Sequence, residues 1–557
     1  MSSGKAQSNL SSPLSNRISG AKRGQYFWLI YLALCLAIFL SAMELTAVSN
    51  ALPVIVNDLT GSQFSWVGTA YALASTAFLP MSGGVAEVRV LLRILFVETW
   101  CLPIQIFGRR FAIFIALAFF IIGSALCGSA RSMNWLIAAR AVQGVGGGGI
   151  LSISSIIVSD LVPLSERGLY NGLIGLTWAL ASAIGPLVGG ALAQHGQWRW
   201  LFYLNLPIAG AALVAVCLFL KLPTPPGRTI DKLRRMDWLG NFIIISSTTS
   251  VVIGLTWGGV QFSWSSSRVL VPLILGLLGM CIFFLYEFWY AKDPIVPYTL
   301  LSNRTSCSGY IQTFITPIPV LAVSYYLPVY YQACKEASAF RSGVLLLGLG
   351  VAIGPAVVLA GISVKITQKY RPQLFLGWAL FMVGVGTLTT TRVNSSIAVA
   401  VATSAIAGAG AGILYAVTYF PVLAPLPVTS SAHALAFFAF CRSFAGVWGV
   451  AIGATILQNE LQKHLPPSFL NSIPTGNVEL AYSIIVTIKD IPQPMRTQIQ
   501  IAFATAVSVI WKALVGVLAI GLVASAMMEG LALQSQTDEK WEMRDKPEVL
   551  SQINTTA

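Results

Sequence analysis

Apolar runs of roughly 20 residues, each long enough to span a bilayer as a helix, recur along the whole chain between short polar connections. The runs are continuous; strands of a membrane barrel would alternate over about 10 residues. Lipid offers no partner to a bare N–H or C=O, so a continuous apolar run satisfies its backbone most simply as a helix. The pattern predicts an all-α polytopic membrane protein with fourteen spans, at 26–50, 64–86, 111–130, 135–159, 169–194, 200–220, 238–257, 269–290, 308–331, 342–363, 374–391, 397–420, 433–457 and 507–530. Two connections are long. Residues 221–237, "KLPTPPGRTIDKLRRMD", are rich in Pro and basic residues, and 458–506 read as a long outer loop. The order is then a tail (1–25), a six-helix bundle (26–220), a linker (221–237), two additional helices (238–290), a second six-helix bundle (308–530) and a second tail (531–557). A repeat of the two six-helix halves is only weakly visible in the sequence itself.

Composition agrees: 56% of the residues are hydrophobic and 10% charged, against about 25% charged in soluble proteins. The formal charge of +14 does not make a nucleic-acid surface, because Lys and Arg crowd the connections on the N-terminal side of the membrane. By the positive-inside rule that side, with both termini, is cytoplasmic. The first 25 residues are polar and Ser-rich and read as a disordered cytoplasmic tail, not a cleaved leader. The eight Cys residues form no CxxC pair, and the three His are far apart, so no metal centre is expected.

Ionisable residues inside apolar spans are costly and therefore stand out. Glu44, in "SAMELTAVSNALP", is the sharpest. A low dielectric favours the neutral form of a carboxyl, so Glu44 could take a proton from one side and release it to the other; otherwise it is a hydrogen-bonded packing residue. Arg140, in "RAVQGVGGGG", cannot lose its proton. It either meets an acid and tunes it or snorkels to the nearby membrane edge. Gln143 lies one turn further on the same side. Arg442, in "CRSFAGVWGVAIG", is a similar cation in the second half. The glycine runs Gly144–Gly149 and Gly185–Gly190 lie inside spans, where small residues let helix backbones approach, and Pro186 removes a backbone donor. Tyr71, Trp178, Tyr326 and Arg442 are candidates for a cavity wall, although most such aromatics are belt or packing residues and Arg442 could instead snorkel from the inner edge.

These motifs resemble a family. "RAVQGVG" is similar to the fourth-helix signature of major facilitator superfamily transporters, with Arg140, Gln143 and Gly144 in its places. "AIGPLVGG" resembles the antiporter motif of the fifth helix in drug:proton exporters, here Gly185, Pro186, Gly189 and Gly190, with Ala181 where Gly is usual. "MELTAVSNALP" is similar to the first-helix motif of the fourteen-span drug:proton antiporters, with Glu44 where Asp is usual. "SDLVPLSERGLYNGLIG" and "GQWRWLFYLNLP" look like the fungal branch. The resemblance implies a proton-driven exporter of small organic molecules, with two bundles rocking about a central site and protons and substrate as its partners; no cofactor is needed, and one chain suffices, so a functional monomer is expected. The lack of a GxxxxGK[ST] loop disfavours an ATP-driven pump, and no cluster of His, Asp or Cys points to an enzyme. A vacuolar carrier of basic amino acids or siderophores, or a non-transporting sensor, is the alternative; the plasma membrane is the expected location.

One family motif is interrupted. The connection between helices two and three usually reads G-x-L-A-(D/E)-x-x-G-R-R. Here Gly83 and Glu87 stand on one side and Gly108, Arg109 and Arg110 on the other, and joining the halves gives "GGVAEIFGRR". Between them lies Val88–Gln105, "VRVLLRILFVETWCLPIQ". Val codons begin with GT and a Gln codon can end in AG, the two splice-site dinucleotides. The segment reads as an intron left in the coding sequence; an amphipathic inner-surface helix or an extension of the second span are the other readings.

Overall fold

The computed structural model describes residues 25–59, 65–85, 109–162, 164–220, 237–259, 262–292, 294–427, 430–470, 484–485 and 488–533. Glu87, Gly108, the segment 88–105, nearly all of the linker 221–237 and both tails lie outside the described residues. The long elements are all helices. The first half holds α1 (Gln25–Leu59), α2 (Ser65–Val85), α3 (Arg109–Gly128), α4 (Met133–Leu161), α5 (Leu164–Gln194), α6 (Arg199–Tyr203) and α7 (Asn205–Phe219). A hairpin follows, α8 (Trp238–Trp257) and α9 (Ser267–Trp289). The second half holds α10 (Arg304–Ile315), α11 (Pro317–Lys335), α12 (Ala339–Thr367), α13 (Arg371–Leu388), α14 (Ile397–Val417), α15 (Tyr419–Leu423), α16 (Ser431–His464) and α17 (Met495–Ala526).

Among the described residues, 12 helical stretches are long and apolar enough to cross a bilayer. The other two expected spans, 64–86 and 374–391, coincide with α2 and α13. Helices α16 and α17 run into the stretch read as a loop at 458–506, ending at His464 and starting at Met495. Polar helical turns carry no span signal, so the hydrophobic pattern hides them.

The polar connections start the helices. Ser132, Asp237, Asn303, Ser338 and Ser396 each accept a backbone N–H of the following first turn. α11 ends at Glu336, in the left-handed conformation, and the Lys335 ammonium donates to the Ser395 carbonyl at 2.5 Å. The chain alternates between two ends of the molecule, called here the Arg109 face, where α3 begins, and the Asp58 face, where α1 ends.

The two halves repeat one packing scheme. In the first, α1 packs on α5 and α7, α4 on α2 and α3, and α3 on α7; in the second, α11 packs on α16 and α17, α14 on α12 and α13, and α13 on α17. Glycine contacts show the repeat atom by atom. A Cβ on Gly144 or Gly148 of α4 would run into the carbonyl oxygens of Tyr71 and Ser75 on α2. A Cβ on Gly408 or Gly412 of α14 would meet those of Leu349 and Ile353 on α12 at 2.5 Å. Gly146 abuts the backbone of Phe120, and Gly410 that of Phe381, in the same way. The halves join through α5 against α12 and α2 against α16, a pseudo-symmetric pair of contacts, and the α8–α9 hairpin reaches the bundles through α8 on α2 and α16. Gly172 and Gly175 of α5 press on Val358 and Val357, and Leu79 and Ile156 of the first half belong to the hydrophobic core of the second. All six residues lie in the half of their helices nearer the Arg109 face, so the bundles are joined there.

Candidate functional site

Glu44 of α1 and Arg140 of α4 meet in the middle of the first bundle, each 0% exposed. Arg140 Nη1 donates to Glu44 Oε1 at 2.5 Å and to Gln143 Oε1 at 2.8 Å. Its Nε donates to the Val67 carbonyl at 3.0 Å, and its guanidinium carbon lies 4.6 Å from the centre of the Tyr71 ring. The second Glu44 oxygen accepts from Asn205 Nδ2 at 2.6 Å. Gln143 Nε2 donates to Ser124 Oγ at 2.9 Å, and Tyr71 and Ser41 share a hydroxyl hydrogen bond of 2.9 Å. Both Glu44 oxygens accept a donor, the arrangement that suits the ionised carboxylate. The pairing rules out snorkelling for Arg140: its side chain turns inward, away from the membrane edge.

The glycines make the meeting possible. Gly144 and Gly148 let α4 lie on the backbone of α2, and a Cβ on Gly147 would strike the Tyr71 hydroxyl. On the other side of α1, a Cβ on Gly185 would hit Thr46, and one on Gly189 the Ala47 carbonyl. Helix α5 thus rests directly on the helix that carries Glu44, and it continues unbroken through Pro186. Gly190 faces open space and takes no part in this contact.

Asn205, Ser124 and the Val67 carbonyl complete the network and were not singled out from the sequence. Asn205 and Ser124 were findable, being polar side chains inside apolar runs, but a neutral polar residue weighs less than a charge in such a reading. At the repeat position of Arg140, four residues before Gly408, stands Ser404, which is buried and donates to the Val401 carbonyl of its own helix at 2.8 Å. The buried acid–base pair therefore belongs to one half only.

A second buried ion pair lies at the Arg109 face. Arg109 Nε donates to Asp160 Oδ2 at 2.9 Å, joining the start of α3 to the last turn of α4, and the Arg110 guanidinium donates to the Cys217 carbonyl at the end of α7. Asp160 was also missed in the sequence; it stands in "SDLVPLSERG", inside a motif read for its general likeness. Gly83 lies near the end of α2.

The cavity candidates separate. Tyr71 is part of the Arg140 network. Tyr326 is buried and its hydroxyl donates to the Val450 carbonyl at 2.5 Å, so it ties α11 to α16 and leaves the cavity wall: its ring fills the hollow at Gly453. Trp178 is half-buried on α5. Arg442 is held between aromatic rings with no carboxylate partner among the described residues.

The geometry shared by the halves has a known counterpart. The family model of the Major Facilitator Superfamily matches residues 34–450. The chain belongs to this superfamily. It is a multi-pass membrane transporter and not an enzyme. Its relatives include the MFS-type efflux pump LUC4 of Fusarium sp, 37% identical over 559 residues, covering 97% of this chain and 95% of that protein. The efflux pump FUS6 of Gibberella fujikuroi is 37% identical over 535 residues, 94% of this chain and 93% of that one. The MFS-type efflux pump MMF1 of Pseudozyma antarctica is 35% identical over 519 residues, 92% of each. Among solved structures, the human organic anion transporter MFSD10 (TETRAN) superposes with a TM-score of 0.53 at 13% identity, covering 89% of this chain and all of that one; that likeness concerns the fold alone.

At the Asp58 face the superfamily transporter carries a small clasp. Asp58 Oδ2 accepts from Trp198 Nε1 and from Arg199 Nη1, each at 3.0 Å. The Trp198 hydrogen bond, aided by the Arg199 charge, holds the Asp58 carboxyl below its usual range. A depressed carboxyl contributes stability above its unfolded pKa, about 3.9, and loses it as pH falls through the folded value. The clasp should therefore be intact throughout pH 5–8. Asp58→Asn should shift the unfolding midpoint little there, measured by thermal scans at both ends of the range, because the ion pair is exposed.

Proposed function

We propose that this chain is a proton-coupled exporter of small organic molecules, with fourteen membrane passes, and that it works as a monomer. The Arg109 face and both termini are cytoplasmic, and the membrane is the plasma membrane. The single observation that carries the proton role is the Glu44–Arg140 pair with both carboxylate oxygens occupied.

The mechanism follows from charge. The ionised Glu44 neutralises Arg140 and ties α1 to α4. A proton arriving from the Asp58 side neutralises Glu44 and removes the attraction that holds the two helices. Arg140 keeps its charge and must find other partners, so the cavity repacks and the bundles rock about the α5–α12 and α2–α16 contacts. The antiporter helix transmits the change because Gly185 and Gly189 leave no side chain between it and α1. The structure, joined at the Arg109 face, corresponds to the outward-facing member of the cycle. The efflux pumps among the relatives give the direction of transport.

The test uses purified protein in proteoliposomes with an imposed pH gradient. Substrate should move against its gradient, with one or more protons moving the other way, and a protonophore should stop it; transport indifferent to the gradient removes the proposal.

The Arg109–Asp160 pair is a latch for the closed cytoplasmic side. Asp160→Asn removes the carboxylate charge while keeping an acceptor for Arg109 Nε, a loss of about 1–3 kcal/mol. The expected result is an inward-biased transporter, read as increased labelling of single cysteines on the cytoplasmic side; unchanged labelling contradicts the latch.

The segment Val88–Gln105 separates Glu87 from Arg109 and Arg110. We propose that it is an intron and that the functional chain lacks it. Expressed side by side, the form without it should transport roughly tenfold faster or more, because the turn then holds its acid beside the two guanidiniums at the helix ends. Spliced transcripts joining the Glu87 and Ile106 codons support this; peptides from the segment in membranes that transport normally overturn it.

A further inference from the structure

The second bundle holds a half-buried cation that the proton mechanism does not use. On α16, Gly446, Gly449 and Gly453 form a stripe. A Cβ on any of them would meet Leu321, the Ile318 carbonyl or the Tyr326 ring, all on α11. Arg442 is one turn earlier on the same stripe, and its side chain crosses to α14. Its guanidinium carbon lies 4.6 Å from the ring centre of Phe438 and 4.8 Å from that of Tyr415. Nη2 donates to the Tyr415 carbonyl at 3.0 Å. Nε is buried and has no hydrogen-bond partner.

Among the described residues no acid pairs with this charge. The described carboxylates of the second half that form ion pairs have other partners: Glu336 faces Arg496, Glu460 faces Lys463 and His464, and Glu529 faces Arg304. In the first bundle the buried arginines meet acids, Arg140 with Glu44 and Arg109 with Asp160; Arg442 has aromatic faces and one carbonyl instead. An arginine cannot shed its proton to escape the cost. Arg442 and Tyr415 keep part of their surface open, and the Tyr415 hydroxyl makes no hydrogen bond among the described residues.

We propose that Arg442, with Tyr415 and Phe438, is the anchoring point for an anionic group on the exported molecule, so that the substrates are organic anions, carboxylates above all. This rests on the transport reading above and names its substrate class. The planar guanidinium presents a fork that a carboxylate accepts in two hydrogen bonds, and the Tyr415 and Phe438 rings beside it offer apolar faces to the organic part. Tyr415 is two residues from the end of α14 at the Arg109 face, where the bundles meet, so parting of the bundles there opens the site toward the cytoplasm. Arg140 cannot serve the same anion, because Glu44 occupies it. Proton and substrate are thus held on opposite bundles, and each biases the rocking from its own side.

The experiment measures binding and needs no transport. Full-length purified protein is titrated with 1-naphthoate and with its neutral isostere 1-naphthamide, read by thermal stabilisation and by tryptophan fluorescence. Naphthoate should bind at least tenfold tighter than naphthamide. Arg442→Gln should remove that difference, Arg442→Lys should keep part of it, and Asp58→Asn, in the exposed clasp far from Arg442, should leave it in place. Equal binding of the two probes, binding of neither, or full discrimination by Arg442→Gln overturns the proposal. Should Arg442→Gln not purify as a monodisperse protein, wild type, Tyr415→Phe and Arg442→Lys decide: the first must discriminate and the other two must do so less. Loss of proton-driven transport with naphthoate discrimination intact would count against the proton reading alone.

Discussion

Glu44→Gln is expected to reduce pH-gradient-driven export to background while the protein still reaches the membrane. The glutamine keeps the volume, and its carbonyl oxygen can still accept from Arg140 Nη1, which donates to Glu44 at 2.5 Å. It cannot bind and release a proton. What remains buried is Arg140 with neutral neighbours, Gln143 Oε1 at 2.8 Å and the Val67 carbonyl at 3.0 Å, so the fold loses the charge-assisted part of the bond, about 1–3 kcal/mol. Arg140→Gln differs in a way that checks the argument. It leaves an acid, and an acid escapes an apolar site by taking up a proton. That variant should fold at least as well as Glu44→Gln but hold its proton and stop cycling. The decisive measurement separates exchange from net transport. Glu44→Gln should still exchange substrate across proteoliposomes at equal pH on both sides, and should not concentrate it when a gradient is imposed. Net accumulation by Glu44→Gln at the wild-type rate would end the case for this residue.

Gly148→Val should prevent the transporter from folding. A Cβ at this position would overlap the Ser75 carbonyl oxygen, and a carbonyl inside a helix cannot rotate out of the way. The helices must separate, and with them the Tyr71 ring and the Val67 carbonyl that hold Arg140. Overpacking of side chains costs about 1–3 kcal/mol; here the obstacle is backbone and the loss should be at the upper end or beyond. Gly412→Val, its counterpart against Ile353 in the second half, should fail in the same way. Gly190→Val supplies the control, since nothing lies within 4 Å of that Cβ. Size-exclusion profiles of fluorescent fusions in mild detergent would show a monodisperse peak for Gly190→Val and aggregate for the other two; a normal peak for Gly148→Val would mean that α2 and α4 do not pack as described.

The pseudo-symmetry explains why the halves look unrelated as sequences. What repeats is the spacing of small residues, Gly144, Gly146 and Gly148 against Gly408, Gly410 and Gly412, with the backbone atoms they touch. Side chains between those points are free to differ, as Arg140 and Ser404 do. The repeat therefore survives in packing and fades from composition.

The sequence by itself determined the class of the molecule. Continuous apolar runs force helices in lipid, and a charge inside a span advertises itself, which is why Glu44, Arg140 and Arg442 were visible at once. Polar helix ends such as Met495–Gln500 were not visible, because hydropathy marks the membrane and not the helix. The tertiary structure decided the partners. In an all-apolar helix, periodicity does not fix which face looks inward, so no pattern could say that Glu44 meets Arg140 and Asn205, that Arg109 meets Asp160, or that Tyr326 packs against α16. Pairing depends on the rotation of each helix, and that rotation is set by where glycines allow two backbones to touch.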